Sequence, residues 1–154
     1  MGIFDKNNLH INRIEGDASD IEKECLRYAK LIESGIDLLL LSVGEDGHIA
    51  SIFPNSTLVN EKQDFVSFDL DSNGLGRISI TPKAINLCKY KYLIALGEKK
   101  GRILFNALQK IDDCNSYPVN LLDDVNWILD TEAEEAINLS LLHKNDLNLC
   151  VNYV

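Results

Sequence analysis

In the stretch LLLLSVGEDGHIASIFPNS, residues 38–56, an apolar run ends on Gly44-Glu45-Asp46-Gly47-His48. Two glycines bracket two carboxylates, and an imidazole follows at once. These residue types suit proton transfer, because an imidazole, with a reference pKa of roughly 6.5, takes and returns protons near neutrality. Gly44 and Gly47 allow a sharp turn and a close approach of backbone to a ligand. Amide groups in that turn are therefore candidates for stabilising a developing oxyanion. Asp46 is placed either to orient the imidazole or to fix the turn, and Glu45 reads as solvated. Ser51 lacks the Gly-x-Ser-x-Gly surroundings of a nucleophile elbow and reads as a structural hydroxyl. His10 and His143 stand in no comparable context and read as ordinary histidines.

The elements that must carry this turn can be read from periodicity. LHINRI, from Leu9 to Ile14, alternates as a short strand would. Ser19 and Glu22 have the spacing of a capping box for a helix whose stripe is Ile21, Cys25, Tyr28, Ala29 and Ile32, closed by Gly35. IDLLLLSV is uniformly apolar, which predicts a strand covered on both faces of a parallel sheet. FVSFDL alternates, GLGRISIT restarts as a strand around Arg77, and Thr81-Pro82 predicts a capped helix start. KYLIALG is a further strand ending on glycine. A helix beginning near Lys99 follows, with Ile103, Leu104, Ala107, Leu108 and Ile111 on one face. VNWILD predicts a last strand, with Trp127 as a core anchor. Asp130, or Thr131 with Glu134, then starts a helix running to about Leu142, with Glu132, Glu134 and Glu135 on its exposed face. The tail HKNDLNLCVNYV carries no clear assignment. Strands alternating with helices predict one α/β domain over residues 1–154, with a mainly parallel sheet and helices on both faces. Ligands in such sheets bind beyond the carboxyl ends of the strands, where the glycine turns after Val43 and after Leu96 both lie.

Bulk properties bound the function. The chain has 154 residues, 45% of them hydrophobic and 25% charged, and a net charge of -9. That charge excludes a general nucleic-acid or anionic-membrane binder, although a few local cations can still hold a small anion. Cys25, Cys88, Cys114 and Cys150 form no CxxC pair, which predicts reduced thiols and no zinc site. No signal peptide is evident at the N-terminus, and the longest apolar run is too short to cross a bilayer. A cytoplasmic protein is expected.

GEDGHIASIFPNS resembles the Gly-x-Asp-Gly-His-Thr-Ala-Ser-Leu-Phe-Pro signature of 6-phosphogluconolactonases. It is also similar to the Asp-Gly-His-Ile-Ala-Phe-Asn-Glu-Pro signature of glucosamine-6-phosphate isomerases, which share that fold. Ser51-Ile52-Phe53-Pro54 sides with the lactonases, and Ile49 with the isomerases. RISITPKAIN, LIALGEKKGRIL and VNWILDTEAEEAI resemble three further family blocks in the same order, so the likeness covers about residues 9–137. Family members normally carry a longer N-terminal portion, with a Gly-Gly-Ser/Thr-Pro phosphate loop and an Asp-Glu-Arg stretch. Neither is found here, and the chain corresponds to the C-terminal two-thirds of the family, a shortened form of the sugar-phosphate isomerase/lactonase fold.

The resemblance implies hydrolysis of 6-phospho-D-glucono-1,5-lactone to 6-phosphogluconate in the pentose phosphate pathway, without metal or organic cofactor. His48 would activate water beside Asp46, and Gly44 and Gly47 would line the substrate. Arg77 and Lys100 match basic positions that hold the sugar phosphate, with Lys99 as the competing cation next to Lys100. An amino-sugar-phosphate isomerase or deaminase is the alternative enzyme, and an inactive sugar-phosphate-binding remnant is the alternative of a different kind. Self-association, or a partner supplying the missing N-terminal region, is expected from the sheet edge left open.

Overall fold

A computed structural model describes residues 10–71 and 73–142. His143, Cys150 and the unassigned tail lie outside the described residues, as does Leu9. The first helix, α1 (Ile21–Ile32), starts one residue later than the capping box implies: Asp20, not Ser19, accepts the Lys23 amide at 3.0 Å. Glu24 explains the preceding segment. Its carboxylate accepts the Glu15 amide and both Nε and Nη2 of Arg27, whose Nη2 also donates to the Arg13 carbonyl. Residues 10–14 are thus tied to α1 and do not form the expected strand. No strand pairs with them among the described residues, and Ile11 is 82% exposed.

After Gly35, β1 (Ile36–Ser42) pairs in parallel with β4 (Cys88–Ala95), which pairs in parallel with β5 (Asn126–Leu129). The order β1-β4-β5 is the parallel sheet that the alternation of strands and helices predicts. Between β1 and β4 the chain makes an antiparallel hairpin, β2 (Val66–Leu70) with β3 (Gly76–Ile80), and a short helix, α2 (Pro82–Asn86). Thr81 caps α2 by accepting from the Ala84 amide, with Pro82 in the first turn. Gly97 then leads into α3 (Glu98–Leu108), and α4 (Thr131–Leu142) follows β5. Ile111, expected on the α3 stripe, lies beyond the helix and is 62% exposed.

Strand alternation sorts the sheet into two unlike faces. Leu41, Val43, Leu93 and Ala95 pack in one cluster with Leu104 and Ala107 of α3 and Ile137 of α4, and Trp127 lies against it. Gly101 lets α3 approach α4, since a Cβ there would fall 2.3 Å from the Ala133 carbonyl oxygen. The opposite face carries Leu38, Leu40, Tyr90 and Ile128, all exposed. The register sets Leu38 beside Tyr90, and Ile94 beside Ile128. The expectation that β1 is covered on both faces is therefore corrected: its even-numbered leucines are 53% and 58% exposed. Among the described residues no helix is long and apolar enough to cross a membrane.

Candidate active site

The turn that interrupts the apolar run is closed by its own backbone. Val43 bridges Ile49, Gly44 N–H donates to the His48 carbonyl at 2.9 Å, and Gly47 N–H donates to the Gly44 carbonyl at 3.1 Å. Gly47 has φ +90°, a left-handed backbone that favours glycine, and a Cβ on it would meet the Tyr117 ring at 3.2 Å. Val119 N–H donates to the Gly47 carbonyl at 3.0 Å, so the Pro118–Leu121 3-10 turn buttresses the loop.

Within that frame His48 Nδ1 lies 2.6 Å from Asp46 Oδ1, and the same oxygen accepts the His48 amide at 3.1 Å. Asp46 thus orients the ring and fixes the turn at once. A carboxylate oxygen only accepts, so Nδ1 is the donor in this contact. The His48 side chain is 30% exposed, which leaves it open to solvent. Gly44 is the floor under the pair: a Cβ there would fall 2.2 Å from both Cε1 and Nδ1 of His48 and 2.7 Å from Asp46 Oδ1. The amides of Gly44 and Gly47 are both committed inside the turn. The amides of Glu45 and Asp46, in the same turn, have no partner among the described residues.

The N-terminus of α3 meets this turn from the next strand end. Lys99 Nζ lies 3.1 Å from both Glu45 carboxylate oxygens, so Glu45 is ion-paired where the sequence suggested only solvation. Lys100 Nζ donates to Ser42 Oγ at 2.7 Å, and Ser42 Oγ donates in turn to the Ile94 carbonyl. Lys100 therefore reaches across the carboxyl ends of β1 and β4, while Lys99 stays on the exposed acidic corner. Asp130, at the end of β5, accepts the Gly97 amide through both oxygens and caps α4 at the Ala133 amide. The Gly97 amide, then that of Ala133, holds its carboxyl below the ordinary carboxylate range.

Arg77 is placed differently. Its Nε and Nη2 both lie 3.0 Å from Asp71 Oδ2 in the β2–β3 hairpin. Asp71 also accepts the amides of Asn73 and Leu75, the latter being the main reason its carboxyl is held low. The link from Arg77 to the histidine turn is indirect. Ser79, on the same face of β3 two residues on, accepts the Ser51 amide at 3.0 Å, so Ser51 serves through its backbone. The contacts form three pairs at neighbouring strand ends, Asp46 with His48, Glu45 with Lys99, and Ser42 with Lys100, while Arg77 is linked to the histidine turn only through its strand. Ser42, Tyr117 and Asp130 were not legible as site supports, because each acts through a long-range contact.

This fold and histidine turn define a sugar-phosphate isomerase/lactonase type of α/β protein. The chain belongs to the glucosamine-6-phosphate isomerase/6-phosphogluconolactonase family, whose model matches residues 3–129. It is 35% identical over 106 residues to a probable 6-phosphogluconolactonase 1 of Arabidopsis thaliana, covering 63% of this chain and 40% of that protein. It is 34% identical over 153 residues to a glucosamine-6-phosphate deaminase of Clostridium novyi, covering 85% and 62%. Among solved structures, the 6-phosphogluconolactonase from Trypanosoma cruzi superposes with a TM-score of 0.58 at 28% identity, over 73% of this chain and 51% of that one. The chain spans about half the length of the curated relatives it matches.

Proposed function

We propose that this chain carries the catalytic histidine of a 6-phosphogluconolactonase, hydrolysing 6-phospho-D-glucono-1,5-lactone to 6-phosphogluconate in the cytoplasmic pentose phosphate pathway. The observation that carries the reading is the His48–Asp46 pair at 2.6 Å inside a lactonase-like turn. Nε2 takes a proton from water as the water oxygen adds to the lactone carbonyl carbon. The tetrahedral intermediate then expels the ring oxygen, which receives that proton from Nε2–H. Asp46 stabilises the imidazolium between the two transfers. Lys100 supplies a point charge for the phosphate, and Arg77 supplies a planar fork once its pairing with Asp71 is shared with the ligand. No metal or organic cofactor enters these steps.

The similarity to a deaminase sets the competing reading, so one experiment tests both. Lactone hydrolysis above the spontaneous background is measured beside ammonia release from glucosamine 6-phosphate, for the wild type and His48→Ala. The lactonase reading expects lactone hydrolysis alone, lost in the variant. Ammonia release would replace it with the deaminase reading. Folded protein that turns over neither substrate but binds 6-phosphogluconate in calorimetry would make the chain a sugar-phosphate-binding protein.

A further inference from the structure

The imidazole has one more wall. The Phe53 ring stands 4.6 Å, centroid to centroid, from the His48 ring, tilted by 40°. This contact adds an aromatic neighbour to the Asp46 carboxylate and the Gly44 floor. The backbone holds Phe53 there from both directions. Ile52, wholly buried, bridges back to Ile49, and Ser56 N–H donates to the Phe53 carbonyl at 3.0 Å. The loop reverses at Ala50 (φ +50°) and again at Asn55 (φ +62°), and Asn55 N–H is secured by the Asn115 carbonyl. A left-handed alanine is disfavoured by about 1–2 kcal/mol. Such strain persists where the surrounding structure holds the chain in one path, and it clusters at functional sites. Here the path it maintains is the return of Phe53 onto His48.

We propose that Phe53 is a positioning residue for His48. Its ring confines the imidazole to the rotamer in which Nδ1–H points at Asp46 and bare Nε2 faces the substrate. Offset and tilted ring pairs are favourable contacts that also restrict rotation. The hydrogen bond to Asp46 alone fixes one ring atom and permits the ring to swing about it. The catalytic arm of this inference rests on the lactonase reading above; the structural arm does not.

The test is nitrogen-15 NMR of the imidazoles in histidine-labelled protein, with the His48 signals assigned by their loss in His48→Asn, alongside steady-state lactone hydrolysis. Wild type is expected to show a single His48 tautomer protonated at Nδ1. Phe53→Leu should shift it toward a mixture of tautomers and lower kcat by about 10- to 100-fold with KM nearly unchanged, as displaced catalytic groups do. Phe53→Tyr, which keeps the ring, should restore both. Phe53→Met replaces the leucine variant if circular dichroism shows that Leu disturbs folding. An Nε2-protonated wild type, an unchanged tautomer in Phe53→Leu, or equal losses in the leucine and tyrosine variants would overturn the proposal. If the wild type hydrolyses no lactone, the functional reading falls, while the NMR comparison still decides the role of Phe53.

Discussion

Gly44 shows how much of the site is decided by what a residue lacks. The sequence suggested glycine for backbone approach to substrate, yet its amide is spent on the His48 carbonyl, and the space above its Cα is occupied by the imidazole itself. Gly44→Ala therefore tests the pair without replacing either of its residues. Gly44 is not among the left-handed glycines, so alanine meets no backbone objection. The atoms in its way are the ends of two rotatable side chains, which swing aside. Stability is expected to fall by about 1 kcal/mol, while lactone hydrolysis drops toward the level of His48→Ala. A melting curve read beside kcat checks this; an active Gly44→Ala enzyme would refute the role of the floor. Asp46 was legible as one of two alternatives because both need only local spacing, and the structure joins them on one oxygen. Arg77 was legible as a cation but not as the partner of Asp71, since that pairing depends on hairpin register.

At the scale of elements, Asp130 ties three ends together: the end of β5, the turn into α3 and the start of α4. The sequence announces it as a helix cap, and its reach to Gly97 across the sheet is invisible without β4–β5 pairing. Periodicity likewise found the helices and strands, while the Leu9–Ile14 segment misled because alternation states a capacity to pair and the described part finds no partner strand. The pH consequence follows from sign. Folding lowers the carboxyl of Asp130 below its ordinary value of 3.8 and that of Glu24, chiefly through Arg27, from 4.5 to about 2. Each group thus adds stability above its unfolded pKa, and that contribution is lost as pH falls through the folded one. Melting temperature should therefore fall as pH drops from about 5 toward 2. Asp130→Asn should lower the melting temperature at neutral pH and flatten part of that acid slope. An unaltered slope in the variant would assign the acid sensitivity to other carboxylates.

Across the whole molecule, the unequal faces of the sheet matter most. α3 and α4 cover one face, and the other presents Leu38, Leu40, Tyr90 and Ile128 to solvent. Purely parallel sheets are ordinarily covered on both sides, and β1 also has no strand on its outer edge among the described residues. Sequence could not reveal this, because a strand buried twice and a strand buried once can both read as Leu-Leu-Leu-Leu. An apolar face beside an open strand edge makes contact with another protein surface favourable. The isolated chain is expected to self-associate, so its sedimentation coefficient should rise with concentration. Leu38→Lys with Leu40→Lys places two charges on that face without entering the covered core, and should shift the protein toward monomer with the helices intact. A wild type that sediments as one species at every concentration would show that the face is covered within a single chain, and the double variant would then lower stability instead of changing association.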